Sequence, residues 1–290
     1  MMPRRSMLKR TTALAAVGLP SGTASAALPP PAPRRIAYGA HQSQYAELTL
    51  PRGEGKVPVA VIVHGGFWRQ AYGAELGRPL ALDLAGTHRV AAWNLEYRRV
   101  GGEGGWPATL LDAAAAVDAL AGAVQREAGG RLDLGRVAAV GHSAGGHLAV
   151  WLAARHRLQK GEPGAAPAVR LAGAVSQAGV LDLVDASEQR LGAGAVDAFL
   201  GGSPRTVPER YAAASPIALL PLGVPITCVH GDADDIVPIR QSERYVAAAR
   251  AAGDSARLVA LRGTGHFEVI DANDPAWRAC KDAVLGMVGV

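Results

Sequence analysis

Six short apolar runs set the frame for this chain: VPVAVIVH (57–64), RVAAWNLEY (89–97), RVAAVGH (136–142), RLAGAVSQ (170–177), VPITCVHG (224–231) and ARLVALRG (256–263). Each is bounded by turn residues, and most are separated by longer stretches whose apolar residues recur every three or four positions, the spacing of a helix with one buried face. Strand alternating with helix predicts an α/β domain with a mostly parallel central sheet flanked by helices. The firmest predicted helix is PATLLDAAAAVDALAGAVQREAG (107–129), with Pro107 suited to a first turn. The segment 182–222 has no clear period and is expected to be an insertion or small cap. In such sheets functional groups collect at the carboxyl ends of the strands.

The N-terminal segment has a different character. Arg4, Arg5, Lys9 and Arg10 precede a mildly apolar stretch and the small-x-small pattern Ala24-Ser25-Ala26. This reads as a twin-arginine-type signal over 1–26, implying export to a periplasmic or extracellular setting. Residues 27–45, which include LPPPAPRR, read as a linker, and 46–290 as the catalytic domain. Removing the leader takes away four positive charges and no negative ones, so the formal charge falls from +5 to 5 − 4 = +1. The basic balance therefore belongs to the leader. No basic face interleaved with aromatics remains for nucleic acid. The leader's apolar stretch is too short, and too broken by Gly18, Pro20 and Gly22, for stable membrane insertion. Cys228 and Cys280 show no metal spacing; Cys228 reads first as a core thiol, with a bridge as the alternative.

Chemistry concentrates at three strand ends. Gly141-His142-Ser143-Ala144-Gly145 stands where a strand passes into a helix, and glycines two before and two after Ser143 relieve crowding in a turn that pushes its hydroxyl outward. The bland alternative is a helix N-cap serine. Downstream, Asp232, Asp234 and Asp235 follow the strand ending in HG, and His266 follows the last strand in a glycine-bounded turn. The order nucleophile, acid, histidine makes Ser143 the nucleophile, His266 the general base and Asp234 the acid that orients it, with Asp232 the next choice. A calcium loop at the aspartates lacks its downstream ligands.

Upstream, His64-Gly65-Gly66-Phe67-Trp68 leaves the first long strand on paired glycines. These let backbone approach a substrate, so the N–H groups of Gly65, Gly66 and Ala144 are the candidate oxyanion donors. Phe67 and Trp68 are expected to wall the substrate site, and His64 to brace the loop. His142 and His147 read as packing residues, Asp182 as a structural hydrogen bonder, and Arg98 and Arg99 as loop-bracing ion pairs.

Together HGGFW, EYRRVGGEGGWPATLLDAAAAV, GHSAGGHLAVWLA, HGDADDIVP and GTGHFEVID resemble the α/β-hydrolase superfamily, specifically its kynurenine formamidase-like and HGG-type esterase branch, from about Ala46 to the end. The resemblance implies the α/β-hydrolase fold, the triad Ser143, Asp234 and His266, the oxyanion hole Gly65, Gly66 and Ala144, and no metal or organic cofactor. It implies a serine hydrolase acting on a small-molecule ester through an acyl-enzyme, with an arylformamidase as the alternative. Export separates this chain from formamidases that work on an intracellular tryptophan breakdown product. A binding protein that kept the fold without the activity is the competing class, disfavoured because every reacting group is present. The sequence leaves pocket size and oligomeric state open.

Overall fold

The computed structural model describes residues 32–290. The signal expected over 1–26 and the first five residues of the expected linker lie outside them. Eight strands form one sheet: β1 (Arg34–Ala37), β2 (Tyr45–Thr49), β3 (Val57–Val63), β4 (Ala91–Leu95), β5 (Leu132–His142), β6 (Gly173–Gln177), β7 (Ile226–Gly231) and β8 (Ala256–Leu261). Their order across the sheet is β1-β2-β4-β3-β5-β6-β7-β8. All pairings from β4 through β8 are parallel, whereas β1 with β2 and β2 with β4 are antiparallel.

The strand sequences follow from burial on both sides. Every residue of β3 is buried. Its Val59, Val61 and Val63 enter one core, and Ala60 and Ile62 the other, because neighbouring side chains in a strand point to opposite faces. The smaller core is closed by α1 (Arg78–Thr87) and, at the end of the chain, by the helix Pro275–Val288, whose Trp277 and Val284 reach the sheet. The larger core takes α2 (Ala108–Asp118), α3 (Ala123–Glu127), α4 (Ala144–Ala154), α5 (Leu183–Glu188), α6 (Leu191–Leu200), α7 (Pro208–Ala214) and α8 (Arg240–Ala251). The terminal helix is α9. All residues of α4 are buried, which accounts for its having almost no polar face.

Three expectations change. The linker predicted over 27–45 is not connector throughout: Arg34–Ala37 forms β1, with Arg34 opposite Leu48 and Ala37 opposite Tyr45. Four residues beside a Pro-rich run are too few to carry a readable period. The helix predicted over 107–129 is interrupted, tightening to a 3-10 turn at Ala119–Ala121 and breaking at Gly122 before α3. The segment 182–222 is not irregular but carries α5, α6 and α7, and Phe199 of α6 is fully buried in the larger core. A left-handed turn at Arg190, Gly192, Ala193 and Gly194 opens α6. This is why its sequence shows no helical period.

No helix among the described residues is long and apolar enough to cross a membrane. Cys228 and Cys280 are both buried free thiols, and burial pushes each up to about 12.

Candidate active site

The carboxyl ends of β3, β5, β7 and β8 converge on one cavity of about 250 Å³. Ser143 leaves β5 with φ 55° and ψ −118°, outside the ordinary helical and extended regions, and caps α4. Its own N–H is held by Gln177 O at 2.8 Å and its carbonyl accepts from His147 N at 3.1 Å. The glycines around it are sterically required. A Cβ on Gly141 would sit 2.1 Å from Gly145 O, and one on Gly145 would sit 2.1 Å from Val63 O. Both obstacles are backbone, so no rotamer change relieves them. Strain held by its surroundings at one serine is the pattern of a functional turn.

His266 and Asp234 are joined. His266 Nδ1 lies 2.7 Å from Asp234 Oδ2, with the carboxylate wholly buried. The other oxygen, Oδ1, accepts the N–H groups of Ile236 at 2.9 Å and Val237 at 2.8 Å. His230 Nε2 donates to Val237 O at 2.8 Å and stands 3.2 Å from Asp234 Oδ2, so its proton is shared between them. Burial by itself would raise the Asp234 pKa. The His230 and His266 N–H groups and the Val237 N–H outweigh it and hold the carboxyl well below the usual carboxylate range. Asp232, the alternative acid, is exposed and accepts from Gly263 N at 2.6 Å, tying the β7 exit loop to the β8 exit loop.

Ser143 and His266 line the same cavity. No direct hydrogen bond joins their side chains among the described residues. In free enzymes catalytic hydrogen bonds are often long and tighten when substrate is bound.

The loop after β3 faces the serine from the other side. A Cβ on Gly65 would lie 3.1 Å from Ser143 Cβ, so this backbone stands against the candidate nucleophile. Gly66 (φ +107°), Phe67 (φ 51°) and Trp68 (φ 54°) then turn left-handed in succession. The turn separates the two rings. Phe67 lines the cavity, whereas Trp68 does not. The expectation that Trp68 walls the substrate site is therefore corrected. Trp68 is fully buried, stacks on Phe199 with ring centroids 4.6 Å apart, and donates from Nε1 to His147 Nδ1 at 3.3 Å.

The two histidines flanking Ser143 have structural partners. His142 Nε2 donates to His266 O at 2.8 Å, and burial, with the His266 charge second, lowers its pKa to about 3. His147 Nε2 donates to Ala214 O at 2.9 Å, and burial lowers its pKa to about 4. Asp182 caps α5 and pairs with Arg244 at 2.7 Å. Arg98 grips Asp112 with two bonds, and Arg99 pairs with Glu96 at 2.7 Å.

Sequence reasoning missed Arg69, Tyr72, Ile236 and Phe267, which border the cavity. Phe267 is 62% exposed, an unusual position for a phenyl ring. Its place directly after the candidate base was the available signal. Two wider hollows, about 620 and 530 Å³, meet at His156 and Arg170. Neither contains a serine or cysteine, and the loops that line them precede β6 and β7, at the opposite edge of the sheet. Among the described residues no group of three or more His, Cys, Asp or Glu is arranged to hold a metal ion.

Comparison with known proteins agrees with this geometry in fold. The family described as BD-FAE matches residues 47–248. Esterase LipC of Mycobacterium tuberculosis is 30% identical over 250 residues, covering 82% of this chain and 60% of the relative, so the chain spans about three-fifths of that protein's length. Among solved structures, a truncated carbohydrate esterase from gut microbiota superposes with a TM-score of 0.71 at 20% identity, covering 88% of this chain and 95% of that one. Esterase Est2 of Thermogutta terrifontis with propionate bound gives 0.71 at 22% identity, with 89% and 95% covered. An acetyl ester-xyloside bifunctional hydrolase from Caldicellulosiruptor lactoaceticus gives 0.70 at 21%, with 89% and 97% covered. At these identities the structural likeness speaks to fold alone.

Proposed function

The chain belongs to the BD-FAE family, within the α/β-hydrolase superfamily, and from that premise we propose that it is a serine esterase cleaving small carboxylic esters through an acyl-enzyme. One observation carries the reading: a strained Ser143 shares a cavity with His266, whose far ring nitrogen is fixed by a buried, ionised Asp234.

The steps follow from which atoms face one another. Asp234 accepts the proton on His266 Nδ1, leaving Nε2 as the ring's free lone pair. Nε2 takes the Ser143 hydroxyl proton as Oγ attacks the ester carbonyl. The carbonyl oxygen becomes an anion, and the N–H groups of Gly65, Gly66 and Ala144 receive it. Such donors contribute several kcal/mol in a water-poor site. The C–O bond then breaks, His266 returns the proton to the departing alcohol, and the acyl group stays on Ser143. A water molecule, deprotonated by His266 in turn, releases the acid.

Supporting the ester over the formamide alternative, the 30% identical relative LipC is an esterase. The test is hydrolysis of p-nitrophenyl acetate and butyrate beside N-formylkynurenine, with fluorophosphonate labelling of the wild type and Ser143→Ala. Ester turnover and labelling in the wild type alone are expected. Equal labelling of both proteins, or no turnover of any ester, overturns the reading. Formamide turnover far above every ester replaces it with the arylformamidase.

A further inference from the structure

Behind the Gly65–Gly66 turn, on the side away from the cavity, buried polar side chains form one connected set. Glu96 follows directly on β4. Its Oε1 lies 2.7 Å from Arg99 Nη1 and 3.1 Å from His64 Nε2 and accepts the Tyr97 N–H at 2.8 Å, while Oε2 accepts from Ala74 N at 3.0 Å. Burial opposes ionisation of Glu96, but the His64 N–H, the Arg99 charge and the Tyr97 N–H prevail and lower its pKa. It is a carboxylate and accepts only.

The orientation of His64 follows. Its Nε2 faces that carboxylate and its Nδ1 faces Gly65 O at 2.8 Å. Both partners are acceptors, and His64 Nδ1 donates to Gly65 O. The ring also lies flat on Tyr97, with centroids 4.3 Å apart and planes 8° apart, and the Tyr97 hydroxyl donates to His64 O at 2.8 Å. With both nitrogens facing partners and the ring outside the cavity, His64 is not placed to act as a base on substrate.

A peptide unit is planar and trans, so its C=O and N–H point in opposite directions. Gly65 O and the Gly66 N–H belong to one such unit. Pinning that carbonyl to His64 fixes the direction of the N–H, away from His64, and Gly66 lines the cavity that His64 does not reach. Arg69 N holds the next carbonyl, Gly66 O, at 2.9 Å, so the loop cannot rotate from its other end.

We propose that His64, clamped by Glu96, Arg99 and Tyr97, is a positioning residue that aims the Gly66 N–H at the developing oxyanion. The proposal rests on the esterase reading above and assigns a task to a buried cluster that never touches substrate. Oxyanion stabilisation acts in the transition state, so disturbing the clamp changes kcat rather than KM.

The test compares wild type, His64→Gln and Tyr97→Phe on p-nitrophenyl acetate, each checked for folding by circular dichroism and thermal melting. Outright loss of one oxyanion donor costs roughly 10²–10³-fold in kcat, so a misaimed donor in His64→Gln is expected to cost about 10–100-fold, with KM within about threefold. A trifluoromethyl ketone that mimics the tetrahedral adduct loses affinity by the same factor, whereas inhibition by the product alcohol is unchanged. Tyr97→Phe, which removes one hydroxyl, shows a smaller loss of the same kind and keeps the comparison open if His64→Gln does not fold. A folded His64→Gln with full kcat, or a change in KM alone, overturns the proposal. Failure of the esterase reading looks different: the wild type itself neither turns over ester nor labels.

Discussion

Asp234→Asn separates the two candidate acids and tests the proton path at once. The aspartate accepts at both ends: Oδ1 from the Ile236 and Val237 N–H groups, Oδ2 from His266 at 2.7 Å with His230 alongside at 3.2 Å. Asparagine has one acceptor oxygen. Turned to the two backbone donors, it leaves its NH₂ against His266. Turned the other way, it drives the NH₂ into both backbone N–H groups. The first arrangement keeps more bonds and prevails, and the His266 ring then meets the amide with a bare Nδ1. Its proton moves to Nε2, the nitrogen needed to receive a proton from Ser143. Chemistry in the wrong tautomer is slowed by about 10³–10⁴-fold, or ~4–5.5 kcal/mol in the barrier. Steady-state kinetics on p-nitrophenyl acetate should show that loss in kcat with KM nearly unchanged. Asp232→Asn keeps an acceptor for Gly263 N and should stay within about threefold of wild type. An Asp234→Asn enzyme retaining more than about a tenth of kcat, or an Asp232→Asn enzyme falling as far, refutes the assignment.

Gly145→Ala places a methyl 2.1 Å from Val63 O, so the elbow must distort; soluble protein, if recovered, should melt earlier and fail to react with a fluorophosphonate, and normal labelling would contradict the steric reading. Burial holds His147 neutral, with Trp68 donating to one ring nitrogen and the other donating to Ala214 O. Its folded pKa of about 4 lies below the unfolded value near 6.5, so the unfolded chain takes up the proton first and stability falls as pH drops between the two. That contribution amounts to about 3 kcal/mol by pH 4, and urea titrations should show a shallower acid slope in His147→Gln. Asp234, whose folded pKa is depressed, adds a separate loss only below about pH 4. Phe67→Ala should leave the melting temperature close to wild type and raise KM, whereas Trp68→Ala should destabilise by ~3–5 kcal/mol. Expressed with its leader in a host that exports folded proteins, the chain should appear outside the cytoplasm with Ala27 as its first residue, and a mature protein that keeps Arg4 and Arg5 would count against the signal.

The parallel strands were legible because a strand covered on both faces must be apolar throughout, and VPVAVIV admits few other readings. The elbow was legible for a steric reason: Gly141 and Gly145 have carbonyl oxygens where a Cβ would go, so the requirement is written in residue type. The antiparallel edge was not. β1 has three exposed residues out of four and pairs only with β2, so its sequence carries no burial pattern. The hidden break of the helix at Gly122 had a similar cause, since an Ala-rich run keeps its apolar spacing through a 3-10 turn. The sequence preferred Asp234 and kept Asp232 as the next choice because both lie in the same turn; the backbone path separates them, burying the Asp234 carboxylate against His266 and leaving Asp232 exposed.

The misassigned Trp68 shows why direction is harder to read than identity. Left-handed backbone at a residue with a side chain costs roughly 1–2 kcal/mol, and Phe67 and Trp68 both adopt it. Burying an indole removes about 150–250 Å² from water, equivalent to ~4–6 kcal/mol at 25 cal/mol per Å². Packing between Phe199 and His147 therefore exceeds the strain of the turn and fixes it. The anchor lies two residues beyond Gly66 and outside the cavity lining, which leaves the Gly66 backbone uncovered at the cavity. In the pair Phe67-Trp68 one ring lines the cavity while the other packs in the core. The sequence names both rings but not the sign of φ between them, and that sign decides which ring faces which way.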